Sequence, residues 1–559
     1  MNWRYRMTLL LFLIVFGCIT ARLFYWQVVR AQELSALGQA QYDKQVTLLA
    51  QRGEIKTSDG FSIAANKLSY LVYANPKVIP DKETAANELE KLLDVKSATL
   101  SAILSKDKFW VPLKSHIENS VKMQIDAKHL PGIGFQDQTV RFYPEASMAA
   151  NLLGFVGKDD NGNDKGYFGL EGYYDRQLRG KDGMSVVVHD ASGHPILAKM
   201  SDSTIKIDGR DLRLNVDRRI QFMLDEELKD GVSKYGAQSG MAIVMDPKTG
   251  GVLAMSSFPT FDPRSFQEYH ASLYSNPNIS FAYEPGSTFK PLVMAAGIDT
   301  GVVRPDTQCD ICGGPVKIGE YDIQTWNGQY RQNITMTDVI IHSDNTGMVF
   351  TGRKLGMDKF LDYLDKFGIG DSTGIDLQGE VYPSLRARDQ WYPIDEATAT
   401  FGQGLTLTPI DLITAFTAIA NGGRRMEPHV VAAVQTADGK TITIPPRELD
   451  KPITPQTAKV VTEMMIKAVN DGEAQWTRLK GYRIAGKTGT AQIPVAGHYD
   501  PNKTIASFIG FAPADDPKFL MLVVLNRPST SIYGAETAAP IFFNVARNIL
   551  NYYNIAPSE

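Results

Sequence analysis

Tyr283-Glu284-Pro285-Gly286-Ser287-Thr288-Phe289-Lys290-Pro291, with Leu292, Val293, Ala296 and Ile298 behind it, is the stretch on which the reading of this chain turns. Pro285 and Gly286 mark a turn, and the apolar run after it predicts a buried helix. The i, i+3 spacing of Ser287 and Lys290 puts the amine one turn beyond the hydroxyl on the same helix face. A serine alcohol is a weak nucleophile and needs a neighbouring base. An ammonium desolvated against apolar walls loses its proton more readily, so Lys290 suits that task. The helix start adds backbone N–H groups and the positive end of the dipole. Two other S-x-x-K tetrads, Ser105/Lys108 and Ser203/Lys206, lie in strongly polar segments.

Such a tetrad alone describes a helix cap and a solvated lysine equally well. Two remote stretches complete a chemistry. Ser343-Asp344-Asn345 lies between helical segments and supplies a second hydroxyl and an amide able to orient a peptide. Lys487-Thr488-Gly489-Thr490 lies on a predicted strand. Its cation and hydroxyls suit a carboxylate, and Gly489 lets another backbone lie alongside, as in strand addition.

Competing patterns fail on context. Gly481 to Thr488 spells G-x-x-x-x-G-K-T, but Tyr482-Arg483-Ile484-Ala485 reads as strand and the residues after Thr488 start no helix. Gly370-Asp371-Ser372-Thr373-Gly374 spells a nucleophile elbow, yet it follows the helical Phe360 to Phe367 and precedes extended Ile375-Asp376-Leu377. Lys248-Thr249-Gly250 precedes the serine and reads as a hairpin turn between strands Met241 to Met245 and Val252 to Met255.

Around these motifs, Arg218 to Tyr235 carries a helical stripe of Ile220, Met223, Leu224, Leu228 and Val232. Helical segments dominate from Thr288 to about Ala420. Strands return at Tyr482 to Ile493, Ile505 to Phe511 and Phe519 to Leu525, and a helix closes at Glu536 to Tyr552. The pattern predicts an α+β fold: an antiparallel sheet, its pieces far apart in sequence, flanked by helices. Residues 210–559 are assigned to that domain. Residues 50–209 break often and mix short strands (Tyr70 to Tyr73, Ser185 to Val188) with one or two helices in Asp81 to Leu104, as in an elongated mixed domain.

The N-terminus is expected to anchor the chain. Met7 to Ala21 has no charge, and residues 7–29 suffice for about 30 Å of hydrocarbon if Arg22 snorkels. No A-x-A-like cleavage site follows, and the apolar run continues past Gly17-Cys18, which disfavours a signal peptide and a lipidated cysteine. Arg4 and Arg6 place residues 1–6 in the cytoplasm, Gln32 to Leu49 read as a linker within 30–49, and the rest is a single-pass ectodomain. A formal charge of −4 gives no bulk attraction to nucleic acid. Cys309 and Cys312 form a lone C-x-x-C, either a local disulfide or two unpaired thiols; with the histidines lacking ligand spacing, neither metal nor cofactor is predicted.

The ordered set S-x-x-K, S-D-N, K-T-G resembles the class B penicillin-binding proteins over nearly the whole chain. Glu284-Pro285-Gly286-Ser287 is similar to the septal, cell-division branch. Gly402-Gln403-Gly404, Ala420-Asn421-Gly422-Gly423 and Leu214-Asn215-Val216-Asp217 before Gln221 also resemble family landmarks. In the upstream domain, the family's non-catalytic (dimerisation-type) pedestal, so do Arg52-Gly53-Glu54-Ile55, Ala64-Ala65-Asn66, Arg141-Phe142-Tyr143-Pro144 and Gly169-Leu170-Glu171. Thr57-Ser58-Asp59 departs from the family's usual Asp-Arg-Asn, which puts a local pedestal contact in question.

The resemblance implies D,D-transpeptidation of peptidoglycan stem peptides, with Ser287 attacking between two terminal D-alanines and Lys290 taking its proton. Ser343 passes a proton to the leaving amine, and the backbone N–H groups of Ser287 and Thr490 hold the oxyanion. Lys487, Thr488 and Thr490 bind the terminal carboxylate and Asn345 the peptide. β-Lactams acylate the same serine. Implied partners are the bilayer, a membrane glycosyltransferase, since no such domain is evident here, and division proteins. The rivals are a lateral-wall transpeptidase, a β-lactamase, for which no E-x-x-x-N stands between Asn345 and Lys487, and a scaffold or sensor without turnover.

Overall fold

A computed structural model describes residues 3–188, 204–495 and 498–557. By compactness the chain divides into Met1–Arg52 with Arg179–Gly209, and Gly53–Leu178 with Arg210–Glu559. In the first unit, helix Trp3–Phe24 runs on through Tyr25–Val29. The side chains of this helix face outward along its length, and it is long and apolar enough to cross a membrane. The irregular linker expected at Gln32 to Leu49 is instead a helix, Ala31–Tyr42, and a strand, Asp43–Leu48, paired antiparallel with Gly183–Val188. The polar composition concealed both elements, because it carries no apolar periodicity and the strand's partner lies far along the chain. Ser203 of the second tetrad lies outside the described residues.

The second unit is built on a five-stranded antiparallel sheet, in the order Val252–Phe258, Ser239–Met245, Phe519–Asn526, His498–Ala512, Ala485–Val495. It is buried on both faces, and strict alternation sorts its residues. Ala242, Val244, Met521, Val523 and Leu525 pack with Leu224 and Leu228 of helix Arg218–Tyr235 and with Phe542 and Phe543 of helix Ala538–Tyr552. Met241, Ile243, Leu520, Leu522 and Val524 pack against Phe289, Leu292, Ile413 and Phe416 on the other side. Helix Arg218–Tyr235 has the predicted bounds because Asp217 caps it, accepting from the Arg219 and Ile220 amides at 2.9 and 3.2 Å, and Gly236 at φ 59° ends it. Gln221 both accepts from and donates to the Met255 backbone, at 2.9 and 3.0 Å, tying that helix to the sheet edge.

The expected helical block holds Lys290–Asp299, Met336–Ile341, Asn345–Leu355, Met357–Phe367, Pro393–Ala399 and Pro409–Ala420. A small hairpin, Val316–Ile318 with Tyr321–Ile323, interrupts it. Cys309 and Cys312 are fully buried and bonded to each other. The strand expected from Tyr482 begins at Ala485, after a turn at Gly481 with φ 87°.

In Gly53–Leu178, the Asp81 to Leu104 segment is two helices, Lys82–Leu93 and Ser97–Leu104, broken where Asp94 turns left-handed at φ 49°. They pack on strand Ser62–Ala74, which pairs with both Val111–Ile117 and Ile133–Phe142. The Thr57-Ser58-Asp59 turn is closed: the Gly60 amide donates to Thr57 at 2.9 Å, and the Ser58 amide donates to Val216 at 2.9 Å. A buried ion pair organises the landmarks, with Arg141 Nε donating to Glu171 at 2.6 Å and its Nη1 to the Gly53 carbonyl at 2.8 Å. Glu171→Ala leaves that guanidinium without its counter-charge. Urea denaturation is expected to show a loss of about 3–5 kcal/mol.

Candidate active site

The Ser287 turn is a short 3-10 segment, Gly286–Phe289, that leads into helix Lys290–Asp299. The turn is fixed from outside. Gly286, at φ 58°, donates to the Gly402 carbonyl at 2.9 Å, and a Cβ on Gly402 would lie 2.2 Å from the Gly286 oxygen. Glu284 accepts from the Gly404 amide at 3.1 Å and from Tyr499 at 3.2 Å. The Gly402-Gln403-Gly404 landmark is therefore the backbone buttress of the serine turn. Ser287 is partly exposed, whereas Lys290 is fully buried in a helix that is apolar from Pro291 through Gly297.

The Lys290 ammonium points at the second motif. It donates to the Ser343 carbonyl at 2.5 Å, to Ser343 Oγ at 3.3 Å and to Asn345 Oδ1 at 2.8 Å. Ser343 adopts φ 56°, a strained conformation for serine that turns both its oxygens to the amine. Asp344 caps helix Asn345–Leu355, accepting from the Gly347 amide at 2.9 Å, so the motif's middle residue sets the angle of the other two. Asn345 Nδ2 in turn donates to the Gln324 carbonyl at 2.9 Å. Among the described residues the Ser287 hydroxyl makes no hydrogen bond, which leaves it free to react.

Burial, and secondarily the nearby Lys487 cation, push the Lys290 ammonium down from its ordinary 10.5 to about 7; Asp344 and Glu473 oppose this. At neutral pH a large share of Lys290 is then the free amine, the form a general base needs.

The third motif lies on Ala485–Val495, the outer strand of the sheet. Lys487 is buried and donates to Thr488 Oγ1 at 3.0 Å. Burial lowers its pKa as well, against the opposing charge of Glu473. Thr488 donates to Glu473 Oε2 at 2.6 Å, while Thr490 Oγ1 accepts from the Gly534 amide at 3.1 Å and keeps its own proton to donate. Gly489 has no room for a side chain: a Cβ would lie 2.3 Å from Ser507 Oγ and 2.8 Å from Thr288 Cγ2. The glycine thus lets the strand lie against the serine turn. Gly489→Val is expected to displace Thr288 and its neighbour Ser287 and to slow acylation by a fluorescent penicillin about 100-fold.

All eight residues expected from sequence fall in these three motifs, and the other patterns stay apart from them. Ser372 donates to Glu380 at 2.6 Å in an exposed loop, Lys248 pairs with Asp516, and Ser105 donates to the Ser101 carbonyl at the end of its helix. No helix follows Lys487-Thr488, as a phosphate loop would require. Sequence reading missed Glu473, which follows Gly472 at the end of helix Pro455–Asp471 and carries no pattern, and the exposed Trp326 and Tyr533, whose rings meet at 5.7 Å.

The chain is similar to known proteins over nearly its whole length. A model of the penicillin binding protein transpeptidase domain matches residues 240–549, and one of the penicillin-binding protein dimerisation domain matches residues 47–214. The chain is 33% identical to stage V sporulation protein D of Bacillus subtilis (strain 168), over 98% of this chain and 86% of that one. It is 29% identical to peptidoglycan D,D-transpeptidase FtsI of Escherichia coli (strain K12), over 100% and 93%. The crystal structure of penicillin binding protein 3 from Mycobacterium tuberculosis complexed with aztreonam has a TM-score of 0.71 at 26% identity, covering 92% of this chain and 98% of that one. The chain belongs to the class B penicillin-binding protein transpeptidases, with a dimerisation domain preceding the catalytic one. Its reaction is that of a serine-type peptidoglycan D,D-transpeptidase.

Proposed function

We propose that Ser287 is the nucleophile that crosslinks stem peptides, and that the wall it serves is the division septum. The observation that carries this reading is the Lys290 ammonium, held within 3.3 Å of both Ser343 and Asn345. Ser287 Oγ bonds to the carbonyl carbon of the penultimate D-alanine, and its proton passes to neutral Lys290. The C–N bond then breaks, and the terminal D-alanine leaves with a proton relayed through Ser343. An amine of a second stem attacks the ester, the C–O bond breaks, and Ser287 regains its proton. Backbone N–H groups of Ser287 and Thr490 hold the oxyanion, an effect worth about 3–4 kcal/mol per donor. Asn345 orients the peptide, and Lys487 and Thr490 receive its carboxylate. Thr488 contributes by positioning Lys487. The outer strand Ala485–Val495 has a free edge on which an extended peptide can lie.

The same serine takes β-lactams, as the aztreonam complex of the mycobacterial relative supports. The septal role is supported by the relatives of the FtsI type. Helix Trp3–Val29 anchors the chain in the cell membrane, with residues 50–209 as pedestal and 210–559 as catalytic domain outside the cytoplasm, and a separate membrane glycosyltransferase supplies the strands. The test is to incubate full-length protein in detergent with fluorescent penicillin and locate the adduct by mass spectrometry. Lasting label on Ser287, followed by crosslinking when donor and acceptor stem peptides are added, is expected. Rapid loss of label indicates a β-lactamase, and label without crosslinking indicates a sensor; either overturns the reading.

A further inference from the structure

Glu473 stands beside the site without belonging to any of its three motifs. Its loop is wedged in place: a Cβ on the preceding Gly472 would lie 2.8 Å from the Ile341 carbonyl, at the end of the helix that leads to Ser343. On the other side its carboxylate accepts the Thr488 hydroxyl proton at 2.6 Å, and that hydroxyl accepts from the Lys487 ammonium at 3.0 Å. The chain carboxylate, hydroxyl, ammonium thus ties the loop to the third motif. Lys487 reaches no carboxylate directly among the described residues, so Glu473, one hydroxyl away, is its counter-charge.

We propose that Glu473 is a positioning residue of the transpeptidase site. Acting through Thr488, it fixes the Lys487 ammonium and supplies the negative charge that balances the two buried lysines. The inference deepens the proposed function and rests on Ser287 being the acylated residue. It also assigns the two hydroxyls different work. Thr488 gives its proton to Glu473 and has none left for substrate, whereas Thr490, held by the Gly534 amide, has a proton to offer the terminal carboxylate.

The charged groups around the pair define the expected pH behaviour. Lys290 feels Lys487, Asp344 and Glu473, and Lys487 feels Glu473. His342, beside the second motif, feels Arg331, Asp338, Asp344 and Glu473. Glu473 raises the pKa of both lysines, so its loss lowers both. Acylation needs Lys290 neutral and Lys487 charged, and the bell-shaped profile as a whole therefore moves to lower pH.

Glu473→Gln keeps an oxygen for the Thr488 hydroxyl and removes only the charge. In full-length protein, the second-order rate of acylation by a fluorescent penicillin is measured from pH 5.5 to 10, with the adduct mapped by mass spectrometry. Expected is a displacement of both limbs by about half a pH unit or more, which raises the rate at pH 6, as a fraction of the plateau, about two- to threefold. Glu473→Asp is expected to keep limbs close to wild type. Unmoved limbs in Glu473→Gln overturn the inference, and a uniform fall at every pH does so too, since that is what a merely structural residue gives. Should Glu473→Gln not fold, Glu473→Ser is read by the same profile. An adduct away from Ser287 in the wild type sinks the proposed function instead, so the two failures are distinct.

Discussion

Ser287→Ala is expected to abolish covalent labelling by penicillin and to lower transpeptidation roughly 10⁴-fold or more, with the melting temperature unchanged within a few degrees. The size of the effect follows from the site. Ser343, a second serine hydroxyl of the site, is buried and already receives a hydrogen bond from Lys290. It lies outside the Gly286–Phe289 turn, whose backbone amide the proposed mechanism uses for the oxyanion. The stability is spared because Ser287 is partly exposed and its hydroxyl makes no hydrogen bond among the described residues. Intact-protein mass spectrometry after penicillin treatment reads the first effect directly: an adduct on the alanine variant refutes the assignment.

Lys290→Met, which keeps the length of the side chain and removes the amine, is expected to slow acylation about 10³-fold. The wild-type rate should rise with pH through an acid limb near 7, since only the neutral amine accepts the serine proton, and the variant should lack that limb. The same burial couples stability to pH. Lysine in the unfolded chain holds its proton to about 10.5, while folded Lys290 releases it near 7. Between these values the unfolded state binds more protons, so stability rises with pH across the window and the contribution is lost as pH falls to 7. Lys487 is depressed in the same sense and adds to the slope. Lys290→Met is therefore expected to melt higher than wild type at pH 7 and to show a shallower rise toward pH 10, by calorimetry. A variant with undiminished slope would place the titration elsewhere.

Some parts of this protein were settled within a few residues of sequence. Helix Arg218–Tyr235 is bounded by its own cap and its own glycine, and the unbroken apolar run of Phe519 to Leu525 marks a strand buried on both faces. The buried helix behind Lys290 follows from its apolar run. These are local facts, carried by backbone periodicity and side-chain-to-backbone hydrogen bonds that span one turn. Half of the ribbon was legible, since Ser185 to Val188 reads as a strand; its partner Asp43–Leu48 was missed because the segment is polar and the pairing joins stretches remote along the chain.

The chemistry belongs to the tertiary structure. No local pattern says that Lys290 turns its ammonium to Ser343 and Asn345, that Gly402 clamps the serine turn, or that Glu473 balances Lys487. Each depends on which groups are taken out of water together. A lysine's proton affinity is set by the dielectric and the charges around its nitrogen, and those exist only once distant segments have closed on one another. The sequence determined which side chains were available for catalysis; burial decided which of them changed their proton affinity and which groups they face.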